Sequence, residues 1–415
     1  MRSYINTTDF FKGNDIEKLA GEYGTPLYVY NEDIIRKHMR SVAGVITKYP
    51  YTANYSIKAN SNLSILKMAL EEGLNCDAMS VGEITLLRKV GFPKERIFFV
   101  PNNVEDEELV FAIRNGIMTS LDSLSQLQRY GELNPGGRCA IRVNPGVGAG
   151  HHEKVVTAGK NTKFGISLEE TDEAIRIAES HQVRIVGINQ HIGSLFMTPE
   201  PYLAAVSNIL EVAHKFKGLE FIDFGGGYGI PYHKHDGEAE YDMESFSASL
   251  EPILDSFVSS YGHAPLFKSE PGRYCVAEGG VILGRVTAVK NNGATKYIGT
   301  NVGMNVLVRP SMYNSYHDIE VVRDGKIVED SSEETVTVVG NICETGDILA
   351  RDRSLPKIQE RDLICVLDAG AYGYSMCSSY NTRPRPAEVL ICSDGSVKLI
   401  RRRETIEDII ATCCL

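Results

Sequence analysis

Short apolar runs alternate with amphipathic stretches along the first two thirds of the chain. Eight runs have the length and the β-branched or aromatic content of strands. They span residues 52–57, 75–79, 97–100, 117–121, 139–144, 185–190, 219–224 and 265–270. Helical spacing occurs between them, for example at 62–73, 82–90, 168–181 and 202–216. Strands alternating with helices indicate parallel βαβ units, and eight of them favour a (β/α)8 barrel of the TIM type.

The pattern changes after residue 275. β-rich runs follow one another there, at 281–291, 296–300, 319–322, 335–339, 363–367, 387–391 and 397–401, and a short helical pattern closes the chain at 405–412. This succession predicts an antiparallel β-barrel or sandwich. We therefore expect a barrel domain at 30–272 and a β domain built from 273–415 together with the N-terminal arm, 1–29, which can pair with it.

Length, charge and cysteine content favour a two-domain cytoplasmic protein over a nucleic-acid-binding, membrane or secreted one. A chain of 415 residues suits a large barrel plus a second domain. Its net charge of −11 argues against a nucleic-acid binder. No apolar run approaches the length of a membrane span, and the N-terminus lacks the apolar core of a signal peptide. Nine cysteines without C-x-x-C pairing predict a cytoplasmic protein with no disulfide framework and no zinc site.

Four motifs fall at the carboxyl ends of predicted barrel strands, where the active sites of such barrels lie. Lys58 follows the first strand, and HIGS, ending at Ser194, follows the sixth. A run of three glycines, Gly225, Gly226 and Gly227, follows the seventh, and the eighth ends in EPGR, which begins at Glu270. Any one of these has an ordinary structural explanation, since a strand-end lysine is usually a surface cation and a glycine run often marks only a tight turn.

Together the strand-end motifs point to pyridoxal 5′-phosphate. Lys58 offers an amine for a Schiff base with its aldehyde, and the glycine loop offers amide groups for its phosphate. Glu270 can pair with the pyridine nitrogen, and His191 can lie flat against the ring. The alternatives are a surface carboxylate at Glu270 and a core histidine at His191. The glycine run does not fit the dinucleotide-binding fingerprint.

The β-rich region carries further candidates. Arg309 and Tyr313 are one helical turn apart and can grip a carboxylate. Cys343 precedes Glu344 in CETGD, and an ordinary thiol carries a proton at neutral pH, so Cys343 is either a proton donor or a small buried apolar group. Tyr372 can donate its phenol to a phosphate or a substrate.

A glycine-rich segment at 146–165 follows the fifth barrel strand. A long segment of this kind is more often functional than not, and its glycines make a closing lid plausible. His151 and His152 lie within it. We expect these adjacent histidines to be solvated and to bind no metal.

The motifs together resemble those of the fold-type III pyridoxal-phosphate decarboxylases, and the resemblance covers nearly the whole chain. It is carried by YSIKAN, GINQHIGS, DFGGGYG, SEPGRY, GMNVLVRPSMYNSYH, CETGD and GAYGYSMCSSYN. It implies a barrel followed by a β domain, and a homodimer whose two subunits share each active site. It further implies cofactor contacts from Lys58, His191, Ser194, Gly225, Gly226, Gly227, Glu270 and Tyr372.

The same resemblance implies how the substrate is held. Arg273, Arg309, Tyr313, Glu344 and Tyr372 correspond to substrate-binding positions of the family. Cys343 of the partner subunit corresponds to the catalytic proton donor, and Lys58 is the other catalytic residue. Two positions depart from the usual pattern: Asn301 precedes the GMN motif where aspartate is usual, and Leu195 follows HIGS where glutamine is common.

Within this family the residues point to the decarboxylation of meso-2,6-diaminoheptanedioate to L-lysine and carbon dioxide, the last step of lysine biosynthesis. Such a substrate has a distal ammonium and a distal carboxylate, which Glu344 and Arg309 can pair. Decarboxylases of ornithine, lysine or arginine are the alternative, although they usually carry aspartate where Glu344 stands. A non-catalytic relative is a further alternative, but it would be expected to lose Lys58 or Cys343.

Overall fold

Strands and helices alternate through most of the chain in the computed structural model, which describes residues 3–146, 149–150, 162–329 and 332–414. The strands, in chain order, are β1 (Leu27–Asn31), β2 (Tyr51–Ser56), β3 (Asn75–Ala78), β4 (Ile97–Phe99), β5 (Met118–Leu121), β6 (Arg138–Arg142), β7 (Ala149–Gly150), β8 (Arg184–Asn189), β9 (Gly193–Ser194), β10 (Phe221–Asp223), β11 (Leu266–Ser269), β12 (Gly280–Asn292), β13 (Thr295–Thr300), β14 (Ile319–Arg323), β15 (Lys326–Ile327), β16 (Glu333–Val339), β17 (Ile348–Pro356), β18 (Leu363–Val366), β19 (Ala387–Ile391) and β20 (Val397–Arg401).

The α-helices also follow one another along the chain. They are α1 (Tyr4–Thr7), α2 (Ile16–Tyr23), α3 (Glu32–Ala43), α4 (Leu63–Glu71), α5 (Val81–Val90), α6 (Asp106–Arg114), α7 (Leu124–Leu133), α8 (Thr171–Ser180), α9 (Glu200–Ala213), α10 (Met243–Tyr261), α11 (Arg273–Val276), α12 (Arg309–Tyr313) and α13 (Ile406–Ile410). Several begin with a side-chain cap: Ser80 accepts a hydrogen bond from the amide of Glu83 at the start of α5, and Ser123 does the same at the start of α7.

Eight parallel strands close into a barrel in the order β2, β3, β4, β5, β6, β8, β10 and β11, and β11 pairs back to β2. Each predicted strand run overlaps one of these strands, so the predicted (β/α)8 barrel is confirmed. The apolar runs predict these strands correctly because barrel strands that are buried on both faces are almost continuously apolar. Side chains fill the interior, including a cluster of Phe98, Val100, Ala140, Val186 and Phe221.

The second sheet is mixed, and in this respect the expectation of an antiparallel domain needs correction. Its main path runs β15, β14, β18, β12, β1, β19 and β20, and β13, β16 and β17 extend it from β12. Most neighbours are antiparallel, but β1 pairs with β19 and β13 with β16 in parallel. A parallel pair needs a long connection, and the whole barrel lies between β1 and β19 in the sequence.

The chain divides into two compact units. One comprises Met1–Ile35, Pro231–Ala239 and Val276–Leu415, and the other Arg36–Ile230 and Glu240–Cys275. These bounds differ from the predicted ones chiefly at Pro231–Ala239, which groups with the β-rich unit. In that unit the N-terminal arm is part of the core, since Ile5 and Phe10 are buried with strand residues such as Val281 and Val389.

Part of the predicted glycine-rich loop falls outside the residues that the structure describes. His151 and His152, with most of the predicted loop at 146–165, lie outside the described residues. Over the described ranges, no helix is long and apolar enough to cross a membrane. The same ranges contain no group of three or more histidine, cysteine or acidic side chains placed to hold a metal ion.

Candidate active site

Lys58 lies in a single 3-10 turn, Ile57–Ala59, that directly follows β2. Its side chain is half-buried, while Ile57 and Ala59 on either side are buried. The turn therefore holds the lysine at the carboxyl end of the barrel strand. Its ammonium attracts two nearby carboxylates, Asp77 and Glu83, and opposes the rise in pKa that burial gives each of them.

Asp77 is a site residue that the sequence analysis missed. It lies in β3 and is fully buried, and its Oδ2 accepts a hydrogen bond of 2.9 Å from the Ser56 hydroxyl. Its Oδ1 has no hydrogen-bond partner among the described residues. Burial raises the pKa of Asp77 to about 7, against the attraction of Lys58. A carboxylate inside the otherwise apolar run CDAM was the signal that could have identified it.

The glycine loop after β10 is packed so closely that side chains cannot be accommodated. Gly225 has a φ of +75°, and Gly227 has a φ of +121°. A β-carbon on Gly227 would lie 2.1 Å from the ring of Phe196. The three glycines are therefore required by the close approach of backbone and neighbours, and the loop is more than a flexible turn.

Two of the three loop amides are already engaged within the barrel. The Gly225 amide donates to Asp223 Oδ1 over 2.9 Å, and the Gly226 amide donates to His191 Nδ1 over 3.2 Å. The Gly227 amide makes no hydrogen bond within the described part of the chain. A phosphate bound by this loop would therefore find its backbone donor at Gly227.

His191 follows β8 and is held as a neutral imidazole. Because Nδ1 accepts the Gly226 amide, the ring proton must lie on Nε2. Burial lowers the pKa of His191 well below its usual value, and the positive charges of Lys58 and Arg142 lower it further. An uncharged ring fixed in this way can stack against a planar cofactor.

Glu270 follows β11 and offers a carboxylate oxygen that the protein leaves unused. The residue is 4% exposed, and its Oε1 has no hydrogen-bond partner among the described residues. Burial raises its pKa well above the usual range, and the carboxylates of Asp223 and Asp77 raise it further. A buried acceptor of this kind fits a ligand with an N–H donor, which is what a protonated pyridine nitrogen supplies.

Arg142 is the second barrel residue that the sequence analysis missed. It ends β6, is buried, and lies 3.8 Å from Asp122 and 4.5 Å from the Phe164 ring. Its charge opposes the rise in the pKa of Glu270. Arg142 was overlooked because the run RCAIR reads as an ordinary strand with an arginine at its end.

Arg273 and Ser194 lie together in the barrel unit. The buried guanidinium of Arg273, at the start of α11, donates to the Ser194 hydroxyl through Nε over 3.3 Å and through Nη2 over 3.1 Å. The structure thus brings Ser194 and Arg273 together, as it does His191 and the glycine loop.

The β-rich unit holds the other five predicted side chains. Arg309 and Tyr313 begin and end the single-turn helix α12. Arg309 is 2% exposed, its guanidinium lies 4.8 Å from the centre of the Tyr232 ring, and its Nη1 lies 2.6 Å from His317 Nε2. His317 Nδ1 lies 2.8 Å from the carbonyl of Leu367, to which it must donate, so Nε2 accepts from Arg309.

Cys343 and Glu344 lie in the turn before β17, and both are exposed. The turn is held from within by Asp347, whose carboxylate accepts the amides of Met304 over 2.6 Å and Ile342 over 2.7 Å. Cys343 is therefore not the buried apolar group of the alternative interpretation.

Tyr372 has a left-handed backbone, with a φ of +56°. A bulky residue is uncommon in this conformation, and such positions concentrate at functional sites. The two departures from the family pattern have local explanations. Asn301 accepts the amide of Arg285 and donates to Thr25, each over 2.8 Å, and Leu195 has a φ of +69° in the turn after Ser194.

Comparison with known proteins identifies the family. Residues 32–277 match the family described as pyridoxal-dependent decarboxylase, pyridoxal binding domain. Diaminopimelate decarboxylase of Methanothermobacter thermautotrophicus is 43% identical, over 96% of this chain and 94% of that protein. The corresponding enzyme of Aquifex aeolicus is 36% identical over 97% and 94%, and that of Escherichia coli K12 is 32% identical over 99% and 98%.

Solved structures give the same result. Diaminopimelate decarboxylase of Methanocaldococcus jannaschii, crystallised with L-lysine, matches with a TM-score of 0.86 at 32% identity, over 97% of this chain and 95% of that one. The Helicobacter pylori enzyme, also with L-lysine, matches with a TM-score of 0.86 at 29% identity, over 95% and 98%. With full-length relatives and the barrel geometry in agreement, the chain belongs to the diaminopimelate decarboxylase family of pyridoxal-dependent decarboxylases.

Proposed function

We propose that the protein is a pyridoxal-phosphate enzyme that decarboxylates meso-2,6-diaminoheptanedioate to L-lysine and carbon dioxide, the last step of lysine biosynthesis. The observation that carries the proposal is full-length identity of 43% to a diaminopimelate decarboxylase. The buried Glu270 oxygen, which no described residue contacts by a hydrogen bond, and the closely packed glycine loop fit the cofactor that this family binds.

The barrel residues hold and orient that cofactor. Lys58 would anchor it, Gly227 and Ser194 would bind its phosphate, and His191 would stack against its ring. When bound, pyridoxal phosphate withdraws the electrons that the departing carboxylate leaves at the α-carbon. Glu270 keeps the ring nitrogen protonated, and Arg142 provides a positive charge that favours the ionised form of Glu270.

Residues of the β-rich unit recognise the substrate. Arg309 pairs with the distal carboxylate and Glu344 with the distal ammonium. Tyr313, and Arg273 from the barrel unit, contribute to the binding of the same end of the substrate. Tyr372 contacts both cofactor and substrate. An analogue without the distal carboxylate would offer no negative charge to the buried guanidinium of Arg309, which costs about 3–5 kcal/mol. The site therefore selects for a substrate with an amino acid group at each end.

Cys343 delivers a proton to the α-carbon after carbon dioxide has left. The thiol and the neighbouring Glu344 are exposed in the single chain, where water would solvate both. A second copy of the chain that covers this turn would exclude water, and this supports a homodimer whose subunits share each active site, with Cys343 of the partner subunit as the donor.

Mixing two inactive variants tests the shared site. Lys58→Ala and Cys343→Ala remove residues from the two contributing subunits, so a mixed dimer keeps one intact site. After subunit exchange, half of the dimers are mixed, and activity should recover to about one quarter of wild type. No recovery despite confirmed exchange would overturn the sharing of the site.

A side-by-side assay tests the substrate. The purified protein with pyridoxal phosphate should release carbon dioxide from meso-diaminopimelate, and release from ornithine, lysine and arginine should be slower by at least about 100-fold. Turnover of ornithine or arginine without turnover of diaminopimelate would overturn the assignment. We further propose a cytoplasmic location, supported by nine cysteines that form no disulfide.

A further inference from the structure

We propose that Asn381 is a positioning residue that fixes the orientation of the Cys343 thiol. The inference rests on the proposed function, in which Cys343 donates the proton. Asn381 makes two contacts with this one residue. Its Oδ1 accepts the backbone amide of Cys343 over 3.1 Å, and its Nδ2 donates to Cys343 Sγ over 3.2 Å.

The orientation of the Asn381 amide follows from hydrogen-bond chemistry. The backbone N–H of Cys343 can only donate, so the atom facing it must be the carbonyl oxygen of the Asn381 side chain. The amide nitrogen is then necessarily the atom beside Sγ. Because that nitrogen can only donate, the thiol must be the acceptor of this contact.

The thiol proton is directed by this arrangement. Since Sγ accepts from Asn381, its own proton points away from Asn381. Once the proton has been delivered, the same N–H remains in place to stabilise the sulfur anion, because hydrogen bonds to a charged acceptor are the stronger ones. Asn381 thus supports Cys343 both before and after proton transfer.

The backbone conformation of Asn381 suits an asparagine that contacts Cys343. It lies in the short 3-10 segment Tyr380–Thr382 with a φ of +56°, a left-handed conformation that asparagine tolerates better than most residues. Its neighbour Tyr380 donates its phenol to Glu344, and Arg383 donates to the carbonyl of Asn341 over 3.1 Å. Three residues of this loop therefore each hold one residue of the Cys343 turn.

Two substitutions separate the contacts while keeping the backbone. Aspartate and glycine both accept a left-handed φ. Asn381→Asp keeps an acceptor for the Cys343 amide, but it replaces the donor facing Sγ with a negative charge. Asn381→Gly removes both contacts. Asp324→Gly is the matched control, because Asp324 has a φ of +51° in the turn between β14 and β15 of the same unit.

Alkylation of Cys343 by iodoacetamide measures the contact without substrate. The holoenzyme is used with Cys413 and Cys414, the other exposed cysteines, replaced by serine, and the Cys343 peptide is followed by mass spectrometry. In Asn381→Asp the alkylation rate at pH 7.5 should fall about tenfold, because the reactive sulfur anion loses its donor. The Asp324→Gly control should react at the wild-type rate.

Turnover provides the second measurement. In Asn381→Gly, kcat for diaminopimelate should fall about tenfold with little change in KM, and lysine formed should lag behind carbon dioxide released. An unchanged alkylation rate in Asn381→Asp would overturn the positioning role. Failure of the wild-type holoenzyme to release carbon dioxide from diaminopimelate would instead overturn the proposed function, and the alkylation result would still report the contact.

Discussion

The carbonyl oxygen of Glu270 occupies the space that a side chain on Gly226 would need. A β-carbon built on Gly226 would lie 1.9 Å from that oxygen, which belongs to backbone and cannot move aside cheaply. The Gly226 amide donates to His191, and the Glu270 amide donates to the carbonyl of Gly225 over 2.9 Å. The loop proposed to bind the phosphate and the carboxylate proposed to meet the pyridine nitrogen are therefore mechanically linked.

Gly226→Ala should displace both the glycine loop and the backbone of Glu270. We expect the variant to fold but to bind pyridoxal phosphate more weakly by at least about tenfold. The added methyl group forces the glycine loop and the backbone of Glu270 apart, and the Glu270 carboxylate moves with that backbone. Titration of the cofactor-free protein, followed by visible absorption, measures this. Gly82→Ala in α5 is the control, since a β-carbon there meets only the Ser80 hydroxyl at 3.6 Å. Equal affinity in the two variants would contradict the prediction.

Glu270→Gln keeps the shape of the side chain and removes its charge. The cofactor should still bind, but kcat should fall by about 100-fold or more, because a neutral amide does not hold the ring nitrogen protonated. Steady-state decarboxylation together with the absorption spectrum of the bound cofactor tests this. A variant with near wild-type kcat would show that the unpartnered Oε1 has another role.

Lys58 and Lys268 lie after and within strands of the barrel, and their surroundings differ. Lys268 is 8% exposed, with its Nζ only 4.0 Å from the centre of the Phe221 ring, whereas Lys58 is half-buried at a strand end. Borohydride reduction of the holoenzyme should therefore leave a pyridoxyl group on Lys58 alone. Peptide mass spectrometry identifies the site, and label on Lys268 in wild type would contradict the assignment.

Asp77 should make the stability of the cofactor-free protein depend on pH. Its pKa of about 7 lies above the unfolded value of about 4. At a pH between these two values the folded state therefore holds a proton that the unfolded state has lost. The stabilisation is fully present below the unfolded pKa and is lost as the pH rises through the folded one. Between the two, one such group gives a slope of about 1.4 kcal/mol per pH unit.

Asp77→Asn should reduce that slope. Melting temperatures at pH 5, 6, 7 and 8 should fall less steeply in the variant than in wild type. Some dependence should persist, because burial also raises the pKa of Asp223, to about 6. Asp172→Asn, at an exposed position of α8, is the control and should behave as wild type. If melting temperature fell equally with pH in wild type, Asp77→Asn and Asp172→Asn, the prediction would be wrong.

His317 should matter for substrate affinity more than for the chemical step. It fixes Arg309 through Nε2, and loss of a hydrogen bond to a charged group costs about 1.5–3 kcal/mol. We expect His317→Phe to raise KM for diaminopimelate about tenfold with a smaller effect on kcat, and His317→Gln, which keeps an acceptor, to recover part of the loss. A fall in kcat with constant KM would place His317 elsewhere in the mechanism.

The barrel and its strand-end residues could be predicted because they depend on local pattern. Buried parallel strands have almost continuously apolar sequences. Lys58, His191 and the glycine run each follow such a run directly, and Glu270 ends one. Residues inside the strands gave no comparable signal. Arg142 became recognisable only once the closed barrel showed that it is buried, and the burial of Asp77 in the same barrel confirms what an acidic residue in an apolar run only suggests.

Family, cofactor and reaction class were thus accessible from the order of residues alone, because the strand-end residues point to the cofactor and motifs along nearly the whole chain resemble those of the family. Contacts between distant segments needed the folded chain. Nothing in the sequence indicates that Asn381 holds Cys343, or that His317 holds Arg309. A hydrogen bond depends on distances of a few tenths of an ångström, and only the folded backbone brings donor and acceptor within that range.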